Sequence, residues 1–81
     1  MTALELEARL TSICAEVLRR PGLGVEDDLM AVGMDSVAAV EIVTRVEIAF
    51  GVDVVDAIFE TPTIASLCAV IRETAPDRAA R

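Results

Sequence analysis

The sequence predicts an all-α fold: a small four-helix bundle with three longer helices, a short third helix and a long loop between the first two. Apolar residues recur at spacings of three and four in three segments, which is the period of an α-helix. Glycines and prolines separate these segments. Hydrophobic residues make up 54% of the 81 residues but include only two Phe and no Trp or Tyr, so the core must consist of aliphatic side chains on helices.

The first helix is predicted over about residues 3 to 19. Thr2 and Glu5 have the spacing of a capping box, in which each side chain accepts a hydrogen bond from the other residue's backbone. An apolar stripe follows and the pattern stops at Pro21, which cannot continue a helix; the stripe consists of Leu6, Leu10, Ile13, Cys14, Val17 and Leu18.

Residues 21–34 are predicted to form a long loop, because they contain three glycines, one proline and a run of acidic residues. A loop of this length needs anchors in a compact domain. We expect Val25, Leu29 and Met30 to attach it to the bundle, and a short turn near Asp27 to Ala31.

The second helix is predicted over Val37 to Phe50, opened by Asp35 and Ser36. One apolar stripe faces the core and comprises Ala39, Ile42, Val43, Val46 and Phe50. A second stripe lies to the side, mixed with Glu41 and Glu47, and comprises Val37, Val40, Thr44 and Ile48. It is either part of a wide buried face or a docking surface for partner proteins, and the sequence alone favours neither.

Gly51 is predicted to end the second helix in a left-handed conformation. A short helix is expected around Asp56 to Glu60; a strand over Val52 to Val55 is the alternative, which we discount because no second strand is available to pair with it. Thr63 is the predicted cap of a last helix, which carries Ile64, Leu67, Cys68 and Ile71 and ends by Pro76. We expect a folded domain over residues 1–74 and a flexible tail over 75–81.

Composition excludes several classes of function. Fourteen acidic and seven basic residues give a net charge of -7, which disfavours nucleic acid and anionic membranes and favours proteins with basic docking surfaces. The absence of His removes the usual general base and metal ligand, so we expect no catalytic activity and no metal site. No secretory signal is recognisable in Met1 to Leu10; we expect a cytoplasmic monomer.

The two cysteines, Cys14 and Cys68, have neither the spacing of a zinc site nor that of a redox motif. Both fall on apolar helical stripes, so we interpret them as buried core residues. A disulfide is the minor alternative.

Ser36 is the polar residue of greatest interest. A purely structural explanation for this serine is helix capping, since Ser and Asp are both favoured caps. The functional explanation is that a hydroxyl at a helix N-terminus suits an attached phosphate, which the free amides and the helix dipole stabilise. No base in this chain can activate the hydroxyl, so another protein would have to perform the transfer.

The order of these features resembles the acyl and peptidyl carrier proteins, a family that bears a phosphopantetheine arm on the serine opening its second helix. The central motif is Gly33-Met34-Asp35-Ser36-Val37, and the resemblance covers roughly residues 3 to 73. Other matching segments are Asp27-Asp28-Leu29, Ala39-Val40-Glu41-Ile42, Phe50-Gly51-Val52 and Ile58 to Leu67.

The resemblance implies a noncatalytic shuttle. A phosphopantetheinyl transferase would move 4'-phosphopantetheine from coenzyme A to Ser36, and the thiol of the arm would hold acyl or aminoacyl groups as thioesters. Asp35 would orient the transferase. Loading, synthase and modifying enzymes would dock on a surface that corresponds in this chain to Val37, Val40, Glu41 and Glu47 on the second helix and Asp56 on the third.

Departures from the family pattern bear on the subtype. Val37 replaces the usual Leu, and the second helix, which includes Ala38, Arg45 and Ile48, is less acidic than in fatty-acid carriers. Peptide carriers often have two glycines before the motif, where this chain has Gly33 and Met34. Asp35 also favours acyl carriers. We therefore expect a discrete acyl carrier of polyketide or hybrid secondary metabolism. A peptidyl or aminoacyl carrier is second and a fatty-acid carrier third. An unmodified helical adaptor is the alternative from another class; there, Ser36→Ala would cost only about 1 kcal/mol of cap stability.

Overall fold

The structure, a computed structural model, describes residues 2–74. These residues form four α-helices and no strand, which confirms the predicted all-α fold and discounts the strand alternative. The predicted flexible tail and the helix stop at Pro76 lie outside the described residues. The helices are α1 (Ala3–Leu18), α2 (Ser36–Phe50), α3 (Val55–Glu60) and α4 (Ile64–Thr74).

The capping box at the start of α1 is confirmed. The amide of Glu5 donates to Thr2 Oγ1 at 3.1 Å, and the amide of Thr2 donates to Glu5 Oε1 at 3.0 Å. The helix ends one residue earlier than predicted, at Leu18, because Arg19 adopts a left-handed conformation with φ 54°. Its amide still donates to the carbonyl of Ala15, so this end of the helix is hydrogen-bonded.

One aliphatic core joins the four helices. Helix α1 packs against α2 and α4, and α3 packs against the same two helices. Cys14 and Cys68 are both buried in this core with free thiols, so the disulfide alternative is wrong. The fully buried side chains include Leu10, Leu29, Ile42, Val46, Val54, Ile58, Ile64 and Leu67.

The loop between α1 and α2 is anchored differently from the prediction. Leu29 is fully buried and Val25 is packed against the core, as expected, but Met30 is 55% exposed. The expectation for Met30 is wrong because a turn starting at Asp28 directs Leu29 inward and the next side chain outward. Met34, which the prediction did not include, is the other buried anchor of this loop.

The expected turn is present. The carbonyl of Asp28 accepts hydrogen bonds from the amides of Ala31 at 3.0 Å and Val32 at 3.2 Å. The loop is also tied to the distant α3–α4 connection, since Leu29 donates its amide to the carbonyl of Pro62 and Ala65 donates its amide to the carbonyl of Val25.

The second half of the chain follows the prediction closely. Gly51 ends α2 with φ 71°, in the left-handed region. Val52 and Val54 are buried in the connection to α3. Thr63 caps α4 by accepting the amide of Ser66 on Oγ1 at 3.1 Å. No helix among residues 2–74 is both long enough and apolar enough to cross a membrane.

Candidate functional site

Ser36 is the first residue of α2, and Asp35 immediately before it is the N-cap. Asp35 has extended backbone angles, φ -103° and ψ -175°, and its Oδ1 accepts the amide hydrogen of Ala38 at 2.8 Å. The cap explanation therefore applies to Asp35. Ser36 is not the cap, because Asp35 occupies the cap position and the serine lies inside the helix.

The hydroxyl of Ser36 is exposed and makes no hydrogen bond to any described residue. At the same helix end, the amides of Ser36 and Val37 have no acceptor among residues 2–74, as expected for the first turn of a helix. These amides and the positive end of the helix dipole favour a negatively charged group. The residues present therefore fit a phosphoester on Ser36 Oγ.

The backbone before Ser36 makes a sharp turn at Gly33, which has φ 112°. Residues with a side chain rarely adopt such an angle, so this position requires glycine. Met34 follows, and its side chain is buried while its amide donates to the carbonyl of Leu29 at 2.9 Å. The turn and the buried methionine together direct the chain so that Ser36 emerges at the surface.

The second apolar stripe of α2 lies outside the core. Val37 is 79% exposed, Val40 59% and Ile48 81%, so the interpretation of a wide buried face is wrong for these positions. Thr44 lies between them, and its hydroxyl donates to the carbonyl of Val40 at 2.9 Å. We call the exposed side of this helix the α2 outer face; it comprises Val37, Val40, Glu41, Thr44, Glu47 and Ile48.

Two carboxylates flank the apolar part of the α2 outer face. Glu41 and Glu47 are exposed, and no described cation lies within ion-pair distance of either one. The single ion pair of the described residues, Arg45 to Glu16 at 3.0 Å, lies elsewhere and joins α2 to α1. The charges of the outer face are therefore available to an external partner.

Asp56 lies in the first turn of α3 and is exposed. Asp56 and Ser36 lie on different helices. The two parts of the predicted surface are joined because α3 packs against α2. Two exposed apolar side chains of α3 were not among the predicted contact residues, namely Val55 at 38% and Phe59 at 57% exposure. Their spacing of four residues within one short helix is the signal in the sequence that indicates a shared face.

The buried thiols do not belong to the site. Burial, with a smaller contribution from Cys68, raises the pKa of the Cys14 thiol to about 11. Burial also raises the pKa of Cys68, and nearby Glu7 adds to the effect. Both groups are therefore protonated and unreactive at neutral pH. Among residues 2–74 no group of His, Cys, Asp and Glu side chains is arranged to hold a metal ion.

A protein-family model described as "Phosphopantetheine attachment site" matches residues 8–71 of the chain. The match includes α2, α3 and most of α1 and α4, so the chain belongs to this family. It is a carrier protein, and its cofactor is a covalently attached 4'-phosphopantetheine.

The chain is similar to segments of large synthases. It is 39% identical over 72 residues to tyrocidine synthase 3 of Brevibacillus parabrevis, covering 88% of this chain and 1% of that synthase. It is 35% identical over 74 residues to surfactin synthase subunit 3 of Bacillus subtilis (strain 168), covering 90% of this chain and 6% of that subunit. The chain thus spans a small fraction of the length of these relatives.

A solved structure has the same fold. It is a complex of the phosphopantetheine transferase Sfp with coenzyme A and a peptidyl carrier protein. The matched chain is 25% identical to this protein with a TM-score of 0.81, and the alignment covers 84% of this chain and 90% of that one. The four-helix bundle described above is therefore the carrier-protein fold.

Proposed function

We propose that this protein carries covalent intermediates as thioesters on a phosphopantetheine arm attached to Ser36, and that residues 1–74 are its carrier domain. The observation that supports this most strongly is the exposed Ser36 hydroxyl, free of hydrogen bonds to described residues, at the N-terminus of α2. The family match extends over this position.

The protein's own role in the modification is that of a substrate. The Ser36 oxygen forms the new phosphoester bond while the pyrophosphate bond of coenzyme A breaks and adenosine 3',5'-bisphosphate leaves. The serine proton passes to a base that the transferase must supply, because the chain contains no His and no Lys. The source of the arm is coenzyme A, as the complex of Sfp, coenzyme A and a peptidyl carrier protein suggests. The terminal thiol of the attached group holds the cargo.

The α2 outer face together with Asp35 and Asp56 is the proposed docking surface for the transferase and for the enzymes that load and use the cargo. Exposed Val37 and Val40 provide apolar contact beside Ser36. Glu41 and Glu47 attract basic patches on the partner, and each exposed pair contributes at most about 1 kcal/mol. Several weak contacts suit a carrier, which must leave each enzyme after each step.

The cargo we propose is an aminoacyl or peptidyl group. The basis is the similarity to tyrocidine synthase, to surfactin synthase and to a peptidyl carrier protein. The expectation of a polyketide or hybrid pathway is the second candidate, and it rests on Asp35 before the serine and on Met34 in place of a glycine.

The modification can be tested by intact-protein mass spectrometry. The protein is incubated with coenzyme A and a broad-specificity transferase such as Sfp, alongside Ser36→Ala and the control Ser12→Ala, which alters another exposed serine on α1. We expect a mass gain equal to phosphopantetheine for the wild type and for Ser12→Ala, and none for Ser36→Ala. A folded wild-type chain without any gain would favour the unmodified adaptor instead.

The cargo class requires a second experiment on the modified protein. The holo form is offered to an adenylating enzyme with amino acids and, separately, to an acyltransferase with malonyl coenzyme A. Loading by the first alone supports the peptidyl assignment. Loading by the second alone would contradict it and restore the polyketide candidate.

The electrostatic part of docking is tested by charge reversal. Glu41→Lys combined with Glu47→Lys should slow the transfer of phosphopantetheine and weaken its salt dependence. The matched control reverses two exposed acids away from the α2 outer face, Glu26 and Glu73, and thus changes the net charge equally. Equal rates in the two double variants would show that local charge complementarity does not contribute to docking.

A further inference from the structure

The loop that leads to Ser36 is stabilised by hydrogen bonds between its own residues. We call residues 28–34 the anchored loop. Its first residue, Asp28, accepts the amide of Met30 on Oδ1 at 2.9 Å, and its carbonyl accepts the amides of Ala31 and Val32. The amide of Gly33 donates to the carbonyl of Met30 at 3.3 Å. The exposed carboxylate of Asp28 therefore organises the first turn of the loop.

The anchored loop is also fixed to the other side of the domain. The amide of Leu29 donates to the carbonyl of Pro62, between α3 and α4, at 2.8 Å, and its own carbonyl accepts the amide of Met34 at 2.9 Å. The side chains of Leu29 and Met34 are 0% and 3% exposed. Both ends of the segment are thus held by the core and by backbone hydrogen bonds.

The position of Ser36 depends on this arrangement, because only the cap residue Asp35 separates it from Met34. Helix α2 defines the direction of the Ser36 side chain, but the anchored loop fixes where α2 begins relative to the α3–α4 connection. A nucleophile has to lie within hydrogen-bond reach of its base, and a displacement of about 1 Å can cost about 100-fold in rate. Loosening the loop should therefore impair the reaction without removing the docking surface.

We propose that Asp28 and Leu29 are positioning residues for the modification of Ser36. Asp28 acts by accepting the Met30 amide, and Leu29 acts by linking the loop to the core and to Pro62. The proposal rests on the proposed function, since it takes Ser36 as the site of attachment. Neither residue belongs to the docking surface defined above.

The first test uses substitutions at Asp28, which is exposed and can be replaced without opening a cavity. Asp28→Ala removes the acceptor and the charge, whereas Asp28→Asn keeps an acceptor oxygen and removes only the charge. Glu26→Ala is the matched control, because Glu26 is an exposed acid two residues away with no hydrogen bond to a described residue. Transfer kinetics are measured over a range of carrier concentrations.

For Asp28→Ala we expect kcat to fall about tenfold with little change in KM, because docking is kept and the serine is misplaced. Asp28→Asn should retain a kcat close to that of the wild type, and so should Glu26→Ala. Equal losses in Asp28→Ala and Asp28→Asn would overturn the positioning role and assign Asp28 to charge recognition. An unchanged kcat in Asp28→Ala would overturn it as well.

The second test compares Leu29→Ala with Leu10→Ala, which removes the same atoms from an equally buried site on α1. Both variants are assayed at a temperature at which circular dichroism reports them folded. We expect a loss of kcat only in Leu29→Ala, and faster hydrogen exchange of the Leu29 and Met34 amides. Equal kcat values in the two variants would reject the role of Leu29. If either alanine variant fails to fold, Leu29→Val and Leu10→Val give the same comparison.

The two proposals fail in different ways. If the wild-type protein gains no phosphopantetheine, or if the Ser36→Ala variant gains it, the proposed function fails. If Ser36 is modified but the variants at Asp28 and Leu29 react like their controls, only the positioning proposal fails.

Discussion

The assignment of the α2 cap to Asp35 rather than Ser36 has a measurable consequence for stability. Asp35→Ala removes the 2.8 Å hydrogen bond to the Ala38 amide, and loss of such a cap costs about 1 kcal/mol, within a range of about 0.5 to 2. Loss of the negative charge at the positive end of the helix dipole adds about 0.3 to 1 kcal/mol. The expected total is about 1 to 2 kcal/mol. Ser36→Ala removes no hydrogen bond to a described residue and should change stability by less than about 0.5 kcal/mol.

Thermal and urea unfolding followed by far-ultraviolet circular dichroism measure this difference. In a domain of this size, 1 kcal/mol shifts Tm by about 4 to 8 °C, so Asp35→Ala should melt well below Ser36→Ala. Asp35→Asn is the control, since Asn is also a good cap and loses only the interaction of the charge with the dipole. Equal destabilisation of Ser36→Ala and Asp35→Ala would contradict the assignment of the cap to Asp35.

Four further outcomes follow from the structure. At neutral pH the native thiols of Cys14 and Cys68 should react with Ellman's reagent far more slowly than in denaturant, and equal rates would contradict their burial. The Cys14 pKa is about 11 in the folded protein against 9.0 in the unfolded chain, so the contribution of this thiol to stability is complete below pH 9.0 and is lost as the pH rises through 11. Cys14→Ala should weaken this pH dependence of the free energy of urea unfolding. The dependence is easy to observe because the chain has no Lys or Tyr that would titrate in the same pH range. Gly33→Ala should cost about 1 to 3 kcal/mol through its φ of 112°, and an unchanged urea midpoint would refute this. The hydrogen bonds from the Thr2 amide and hydroxyl lower the pKa of Glu5. Thr2→Ala removes only the hydroxyl and should raise the Glu5 pKa measured by NMR titration. An unchanged pKa would contradict a contribution from the hydroxyl.

Local signals explain why the helices were predictable. The capping box of Thr2 and Glu5, the left-handed Gly51 and the cap at Thr63 are each defined by residues a few positions apart, and all three were confirmed. The apolar period of α2 predicts which stripe faces the core but does not determine whether the second stripe is buried as well. That choice depends on how α1, α3 and α4 pack around it.

The loop before Ser36 was the least predictable part. Leu29 and Met30 are adjacent apolar residues, and only the turn at Asp28 and the hydrogen bond to Pro62 determine which one points inward. A contact between positions so far apart in the chain leaves no periodic pattern in the sequence.

The sequence motif indicates the candidate site but leaves open which residue caps α2. The sequence predicts an exposed hydroxyl of Ser36 at a helix start, which agrees with the structure. The identity of the cap could not be settled because Asp and Ser are both favoured there, and the backbone angles of Asp35 decide it. The exposure of Phe59 is difficult to predict because a six-residue helix is too short for a clear apolar period, and only the four-residue spacing from Val55 indicates a shared face.

Tandem mass spectrometry of the wild-type protein, after incubation with coenzyme A and the transferase, tests directly whether Ser36 carries the phosphopantetheine arm. Cleavage at arginines places Ser36 in a peptide ending at Arg45, in which Thr44 is the only other hydroxyl side chain. We predict that the phosphopantetheine mass is found on this peptide and that fragmentation localises it to Ser36. A mass gain on Thr44 or on any other peptide would contradict attachment at Ser36.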